Sequence, residues 1–331
     1  AAFLPGIGTL AEPYNKNNMK LKKKPFSLFS HNTQRTCVQN GFADSLSAKG
    51  VFGRISDVLK NQQSPYKTSV YSIAGNQKIL EGNSPPKILG KSGVDRFNYD
   101  DFVENIQNLS KYKSSSEFAN TFYDSVLEAL NVTTTMNEKL SYSKVQTSFH
   151  PHNFGQQLKN VARVIDVRSQ LDSERDMFFT QIGGFDTHSN MKEVVSEKFS
   201  IIEDSLRAFV TEMKNKSVWN DVVIVTLSDF GRTLTTNGRG SDHGHSSNMA
   251  ILGGKVNGSQ FFGTYYDNLN YTDQNVYATK RGRFIPKTPY ESMWNGVMEW
   301  FGVDMTFRDY VLPNAKNFNN LFSSNFMFKS N

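Results

Sequence analysis

Three short apolar runs, each closed by a polar or glycine turn, constrain this chain more than any other feature. Met177-Phe-Phe-Thr-Gln-Ile182 stops at Gly183-Gly184. Val222-Val-Ile-Val-Thr-Leu227 stops at Ser228-Asp229, and Met249-Ala-Ile-Leu252 stops at Gly253-Gly254. Short apolar runs of this kind suit strands covered on both faces. Amphipathic stretches lie among them. Residues 153–171 place Phe154, Leu158, Val161, Val164 and Ile165 on one helix face, and residues 196–214 do the same with Phe199, Ile202, Leu206, Phe209 and Met213. Tyr290–Phe301 is an aromatic helix. Strands alternating with helices predict an α/β fold: a mostly parallel central sheet with helices on both faces.

The first half is less regular. Residues 1–50 read as a loop-rich opening segment, with Pro5, Gly6, Gly8 and Pro13. Residues 51–62 have helical apolar spacing. Ser69-Val-Tyr-Ser-Ile-Ala74 alternates like a strand and ends at the turn Gly75-Asn76. Residues 99–111 and 115–132 read as helices, the second with a capped start at Ser114-Ser-Ser-Glu117. The whole chain, 331 residues, is expected to form one domain: a helical part over 51–150, a sheet core over 151–303 and a tail over 304–331.

Charge and cysteine narrow the function classes. The net charge is +6 and the pI about 9.1, yet the one dense basic run is Lys20-Leu-Lys22-Lys23-Lys24, read as a solvated loop. With no recognised module, nucleic acid is not the expected partner. One cysteine, Cys37, excludes an internal disulfide and reads as an idle thiol. No stretch is apolar enough to span a membrane. Asn-X-Ser/Thr sequons at Asn108, Asn131, Asn215, Asn257 and Asn270 are read as pointing to a secreted or extracytoplasmic glycoprotein.

The chemistry collects in two loops and one strand end. In an open parallel sheet, ligands bind beyond the carboxyl ends of the strands. Asp186 and His188 follow the first apolar run, and Asp229 ends the second. Asp242, His243 and His245 lie on the glycine-rich loop before the third. Of six histidines, three fall in these two loops beside an aspartate. Imidazole and carboxylate together suit zinc, and carboxylate-rich variants suit manganese, magnesium or calcium. The structural alternatives are a helix cap for Asp-Thr-His and a hydrogen-bonded surface loop for Asp-His-Gly-His. Arg232 could pair with an oxyanion or fix the loop through a salt bridge. His31 could line the site or stabilise a loop, and His150-Pro-His152 has metal-like spacing but suits a surface loop.

Several segments resemble the DUF1501 family, which is related to the alkaline phosphatase and sulfatase superfamily. Leu28-Phe-Ser-His-Asn-Thr-Gln34 and Gly50-Val-Phe-Gly-Arg-Ile-Ser-Asp57 are similar to its early motifs, and Gln156-Gln-Leu-Lys-Asn-Val-Ala-Arg163 to its helix motif. Gly183-Gly-Phe-Asp-Thr-His188 has Phe where the family has Trp. Ser228-Asp-Phe-Gly-Arg-Thr233 has Asp where the family has Glu. Ser241-Asp-His-Gly244 and Arg281-Gly-Arg-Phe-Ile-Pro286 follow in the family's order.

The resemblance implies an alkaline-phosphatase-like fold with two divalent cations, zinc first among them, at the sheet's carboxyl rim. One cation would be held by Asp186, His188 and His243 or His245, the other by Asp229 and an early aspartate. That aspartate and a Ser or Thr nucleophile belong to a first strand unit expected to be missing here, which leaves the fold incomplete at its N-terminal side. The implied activity is metal-dependent hydrolysis of phosphate or sulfate esters. The alternative is a non-catalytic secreted scaffold or assembly protein that keeps the fold with a degenerate metal site, joined by a separate N-terminal fragment or an assembly partner.

Overall fold

The computed structural model describes residues 1–90, 108, 115–272 and 274–330. In chain order its elements begin β1 (Ala2–Gly8), α1 (His31–Asn40), α2 (Val51–Asn61), β2 (Thr68–Ser72), β3 (Lys87–Ile88), α3 (Glu117–Ser141) and α4 (Asn153–Asp166). Then come β4 (Arg175–Phe179), α5 (Met191–Asn215), β5 (Val223–Val225), β6 (Arg232–Thr236), β7 (Ser241–His243) and β8 (Ser247–Gly253). The chain closes with β9 (Ala278–Thr279), β10 (Arg283–Phe284), β11 (Thr288–Pro289), α6 (Tyr290–Phe301), α7 (Arg308–Val311) and α8 (Ser324–Met327).

The strands form a four-stranded sheet in the order β11-β1-β8-β5, a three-stranded sheet in the order β3-β2-β4, and the pairs β6-β7 and β9-β10. The fold is therefore mixed α/β, with several sheets rather than one mostly parallel sheet. The three-stranded sheet is parallel throughout. In the four-stranded sheet β1 runs parallel to β11, but β8 runs antiparallel to both β1 and β5. The cause is the link between β5 and β8. It folds as the antiparallel β6-β7 pair and contains no helix, and a parallel return needs a crossover, usually helical.

The loop-rich reading of residues 1–50 is corrected at both ends. β1 lies inside the four-stranded sheet, and α1 spans His31–Asn40. Pro5 and Gly6 hid the strand. They sit where the β1–β8 register shifts between Leu4 and Ile7, with Gly6 at φ 63, a left-handed conformation that glycine adopts without strain. Leu4 and Ile7 on either side are fully buried. The sheet core thus draws on strands well before residue 151. The expected tail is also part of the core, because Met327 of α8 packs so tightly on Gly296 of α6 that a Cβ there would overlap its Sδ.

Most other expected elements are present, but α3 runs nine residues past its expected end at 132 and α4 stops five residues short of 171. Ser116 caps α3 by accepting from the Ala119 N–H at 3.4 Å. The helix read at 99–111 lies outside the described residues. Among the described residues no helix is long and apolar enough to cross a membrane.

Two apolar cores flank the strands. One contains Val70, Met177, Trp294, Met293 and Met298, with Phe179, Val223 and Val225 packed against it. The other contains Tyr71, Leu158, Val161, Phe209 and Met213, with Phe178, Ile224 and Val222 against it. Alternate residues of β4 and β5 thus enter opposite cores, as the strand period of two requires. The two sheets share one layer, with α2 and α6 on one side and α4 and α5 on the other. Each large side chain fully buried there stabilises the fold by roughly 1.5–3 kcal/mol.

Candidate metal centre

The loops that follow β4 and β5 meet the start of α1 and the end of β7. Two close backbone approaches make this possible. A Cβ at Gly240 would overlap the Thr187 carbonyl, and one at Gly231 would overlap the Ser246 carbonyl. Glycine at both positions lets the 237–245 loop press against the Asp-Thr-His turn.

Asp186 is the common point. Its Oδ1 lies 3.0 Å from His188 Nε2, 3.1 Å from His243 Nε2 and 2.6 Å from Arg232 Nη1. Its Oδ2 lies 3.2 Å from His31 Nε2. Desolvation pushes this carboxyl's pKa up. With the imidazoles protonated, the hydrogen bonds from Arg232 and His243 and the charges of His31 and His188 outweigh it and hold the pKa at about 2. Asp186 is thus an anion across the whole physiological range.

Each of the three imidazoles is held from behind. His31 Nδ1 lies 2.6 Å from Asp229 Oδ2, His188 Nδ1 3.2 Å from Asp242 Oδ1, and His243 Nδ1 2.8 Å from the Phe29 carbonyl. Carboxylates and carbonyls only accept, so in the neutral rings Nδ1 carries the proton and Nε2 the lone pair. All three lone pairs then face Asp186. His188 Nε2 and His243 Nε2 stand 3.1 Å apart, acceptor to acceptor. His31 Nε2 is buried with no hydrogen-bond partner. Lone pairs crowded onto a carboxylate repel unless a cation lies among them. A second group orienting each ligand histidine is the usual arrangement of metal sites. His31, Asp186 and His243 each offer one atom, all within 4.8 Å of one another, and could hold a metal ion. His188 adjoins two of the three. Phe230 packs against both His31 and His243, with ring centroids 4.5 and 4.6 Å away, and the two imidazoles are 4.5 Å from each other.

The other expected residues take distinct places. Asp229 and Asp242 stand behind histidines. Asp242 also pairs with Arg281. Burial pushes its pKa up, but Asn237, Arg281 and His188 bring it below the ordinary value. Arg232 is committed to Asp186 through Nη1 and to Ser241 through Nε and Nη2, the salt-bridge role weighed for it above. His245 does not join the cluster. Its ring is buried, with Nε2 2.7 Å from the Thr9 carbonyl, and desolvation, partly offset by that bond, lowers its pKa to about 4. The two-residue strand period would have put His243 and His245 on one face. β7 stops at His243, and Gly244 packs against the backbone of Arg232 and Gly231, which breaks that period.

His150 and His152 act locally: the His152 ring accepts from Phe154 N–H at 3.1 Å and caps α4. The Cys37 thiol is buried, which pushes its pKa up to about 11. Sequence reasoning undervalued His31, whose partners lie 155 and 198 positions away. Its one signal was the Leu-Phe-Ser-His motif. Nothing in the sequence pointed to the Phe29 carbonyl or to Arg281 as supports.

Fold and site together define a mixed α/β protein with an aspartate–histidine cluster at the ends of two strands. The family model described as "Protein of unknown function (DUF1501)" matches residues 65–279, and the chain belongs to that family. The matched span holds Asp186, His188, Asp229, Asp242 and His243 and leaves out His31. Comparison with curated proteins gives no match, nor does comparison with solved structures.

Proposed function

We propose that the protein is a divalent-cation-dependent hydrolase of phosphate or sulfate esters, with zinc as the favoured ion and an alkaline-phosphatase-like site. The supporting observation is the convergence of three Nε2 lone pairs on the Asp186 carboxylate, each imidazole fixed from behind by a hydrogen-bond acceptor. Two nitrogen donors and a carboxylate suit zinc better than magnesium or calcium, which prefer oxygen. When bound, such a cation stabilises negative charge on an ester oxygen.

The residues divide the remaining tasks. His31, Asp186 and His243 hold the ion, with His188 beside them. Asp229, Asp242 and the Phe29 carbonyl keep the rings turned inward. Arg232 fixes the Asp186 carboxylate while leaving Oδ2 toward His31. A second reading is a non-catalytic assembly protein that retains the cluster. Among the described residues β4 and β5 each pair on one side only, and these two open edges beside the site favour it.

Metal content and turnover separate the readings. The purified full chain should carry at least one equivalent of divalent metal by elemental analysis and hydrolyse p-nitrophenyl phosphate or sulfate. Asp186→Ala and His188→Ala should lose metal, Asp186→Ala by more than about 100-fold in affinity, since it removes a direct ligand and the groups behind ligands alone are worth 10–100-fold. Unchanged metal content in both variants refutes the site. Full metal content without turnover leaves the assembly reading.

A further inference from the structure

We propose that the lysine-rich turn over residues 16–24 is a lipid-contact surface, which docks the protein on bilayers of anionic phospholipid and dips Leu21 into them. This contact is independent of the proposed hydrolysis.

Charge singles out the segment. Between Glu12 and Asp44 the chain contains no acidic residue, and it carries Lys16, Lys20, Lys22, Lys23, Lys24 and Arg35. That stretch alone equals the formal net charge of +6 for the whole chain. The two flanking acids serve as anchors. Glu12 accepts from Lys22 Nζ at 3.0 Å and from the Lys23 N–H at 2.6 Å, and Asp44 stands 3.8 Å from Lys23 Nζ. Lys20, Lys23 and Lys24 are exposed. An anionic leaflet attracts such a cluster, by about fivefold in partition for each lysine held within a screening length of the surface.

The turn is held in shape. Lys16 donates its N–H to the Val276 carbonyl at 2.7 Å, Met19 to that of Asn15 at 2.9 Å and Leu21 to that of Asn18 at 2.9 Å. Met19 packs against the small core of Leu10, Tyr14 and Ile285. Pro25 is buried, and the Phe26 N–H reaches the Ala43 carbonyl at 3.3 Å. Met19 and Pro25 thus enter the protein, and the residues between them are carried outward.

Leu21 decides for lipid. Its exposure, 90%, is the highest of any large apolar side chain among the described residues. Single apolar side chains are ordinary on protein surfaces. This one stands between Lys20 and Lys22, and Phe26 follows it at 46% exposure. Charge alone makes the run a solvated loop; an apolar tip among lysines matches the interface of an anionic bilayer, where hydrocarbon lies beneath the phosphates. Nucleic acid also offers phosphates. Its other sequence-tolerant contact is base stacking, for which the aliphatic Leu21 has no ring.

The test sediments the full chain with vesicles of phosphatidylcholine alone and of phosphatidylcholine with phosphatidylserine. Partition should favour the anionic vesicles by at least about tenfold at physiological salt, and that preference should vanish at about 1 M salt, where the screening length falls from about 8 Å to about 3 Å. Lys20→Gln with Lys24→Gln should lower partition about 25-fold. Leu21→Ser should lower it about tenfold, the loss of one inserted leucine. Lys192→Gln with Lys214→Gln, at two exposed lysines of α5, should leave it within about twofold. All five positions are exposed, so the fold is not at stake. Equal binding to both kinds of vesicle, an equal loss in the α5 variant, or an unchanged Leu21→Ser variant would overturn the assignment. So would binding to a single-stranded oligonucleotide in preference to vesicles. None of these readouts involves metal or turnover.

Discussion

The rim of the strands and the interior behind them hold the same residue types in opposite states. At the rim, Asp186 is kept ionised at about 2 by Arg232 and its histidine neighbours, against a desolvation cost that pushes the other way. Inside, Glu291 at the start of α6 is pushed up to about 8, chiefly by burial, with Asp44 adding to the effect. At the rim, His243 binds a carbonyl through Nδ1 and turns Nε2 to the cluster. Two residues on, His245 spends Nε2 itself on the Thr9 carbonyl. Residue identity therefore does not mark a ligand. What marks it is which ring nitrogen the protein occupies, and whether cationic partners or apolar burial surround the acid.

Three experiments can break this contrast. The largest expected effect belongs to Glu291. Its folded pKa, about 8, is raised above the unfolded 4.5. The folded state therefore binds the extra proton. The associated stability is fully present below 4.5 and is lost as pH rises through 8, at up to about 1.4 kcal/mol per pH unit. Urea midpoints at pH 5 and pH 9 should diverge for the wild type and converge for Glu291→Gln. Parallel profiles would contradict a neutral buried acid.

Next comes His245→Ala. It should leave metal content unchanged while lowering stability by about 2 kcal/mol, because the Thr9 carbonyl loses its buried partner. Loss of metal with stability intact would place His245 among the ligands and collapse the contrast.

The smallest effect is Asp229→Asn. The amide can turn its donor toward His31 Nδ1 and invert the tautomer, so cation affinity should fall about tenfold with little change in fold stability. Isothermal titration with zinc checks it. Unaltered affinity would mean that His31 is not a ligand.

Much of the fold was legible along the chain. The α6 boundaries match residue for residue, and β5, β8, α4 and α5 lie on their predicted segments. These elements answer to local periodicity, which a window of a dozen residues contains. β1 was missed because Pro5-Gly6 imitates a turn, and only pairing with β8 identifies a bulge. Asp186, His188 and His243 could be picked from the sequence because aspartate beside histidine is rare here. His31 could not be ranked, nor His245 set aside, since both depend on partners brought together from distant positions.

By itself, then, the sequence determined the element types, the alternation of strands and helices, and the pool of possible cation ligands, all matters of spacing and side-chain chemistry. Only the tertiary structure decided that β8 runs antiparallel, which histidine nitrogens turn to the cluster, and that β4 and β5 each pair on one side only among the described residues. Those outcomes depend on hydrogen-bond partners far apart in the chain, and a local pattern carries no information about which distant backbone group will be there to accept.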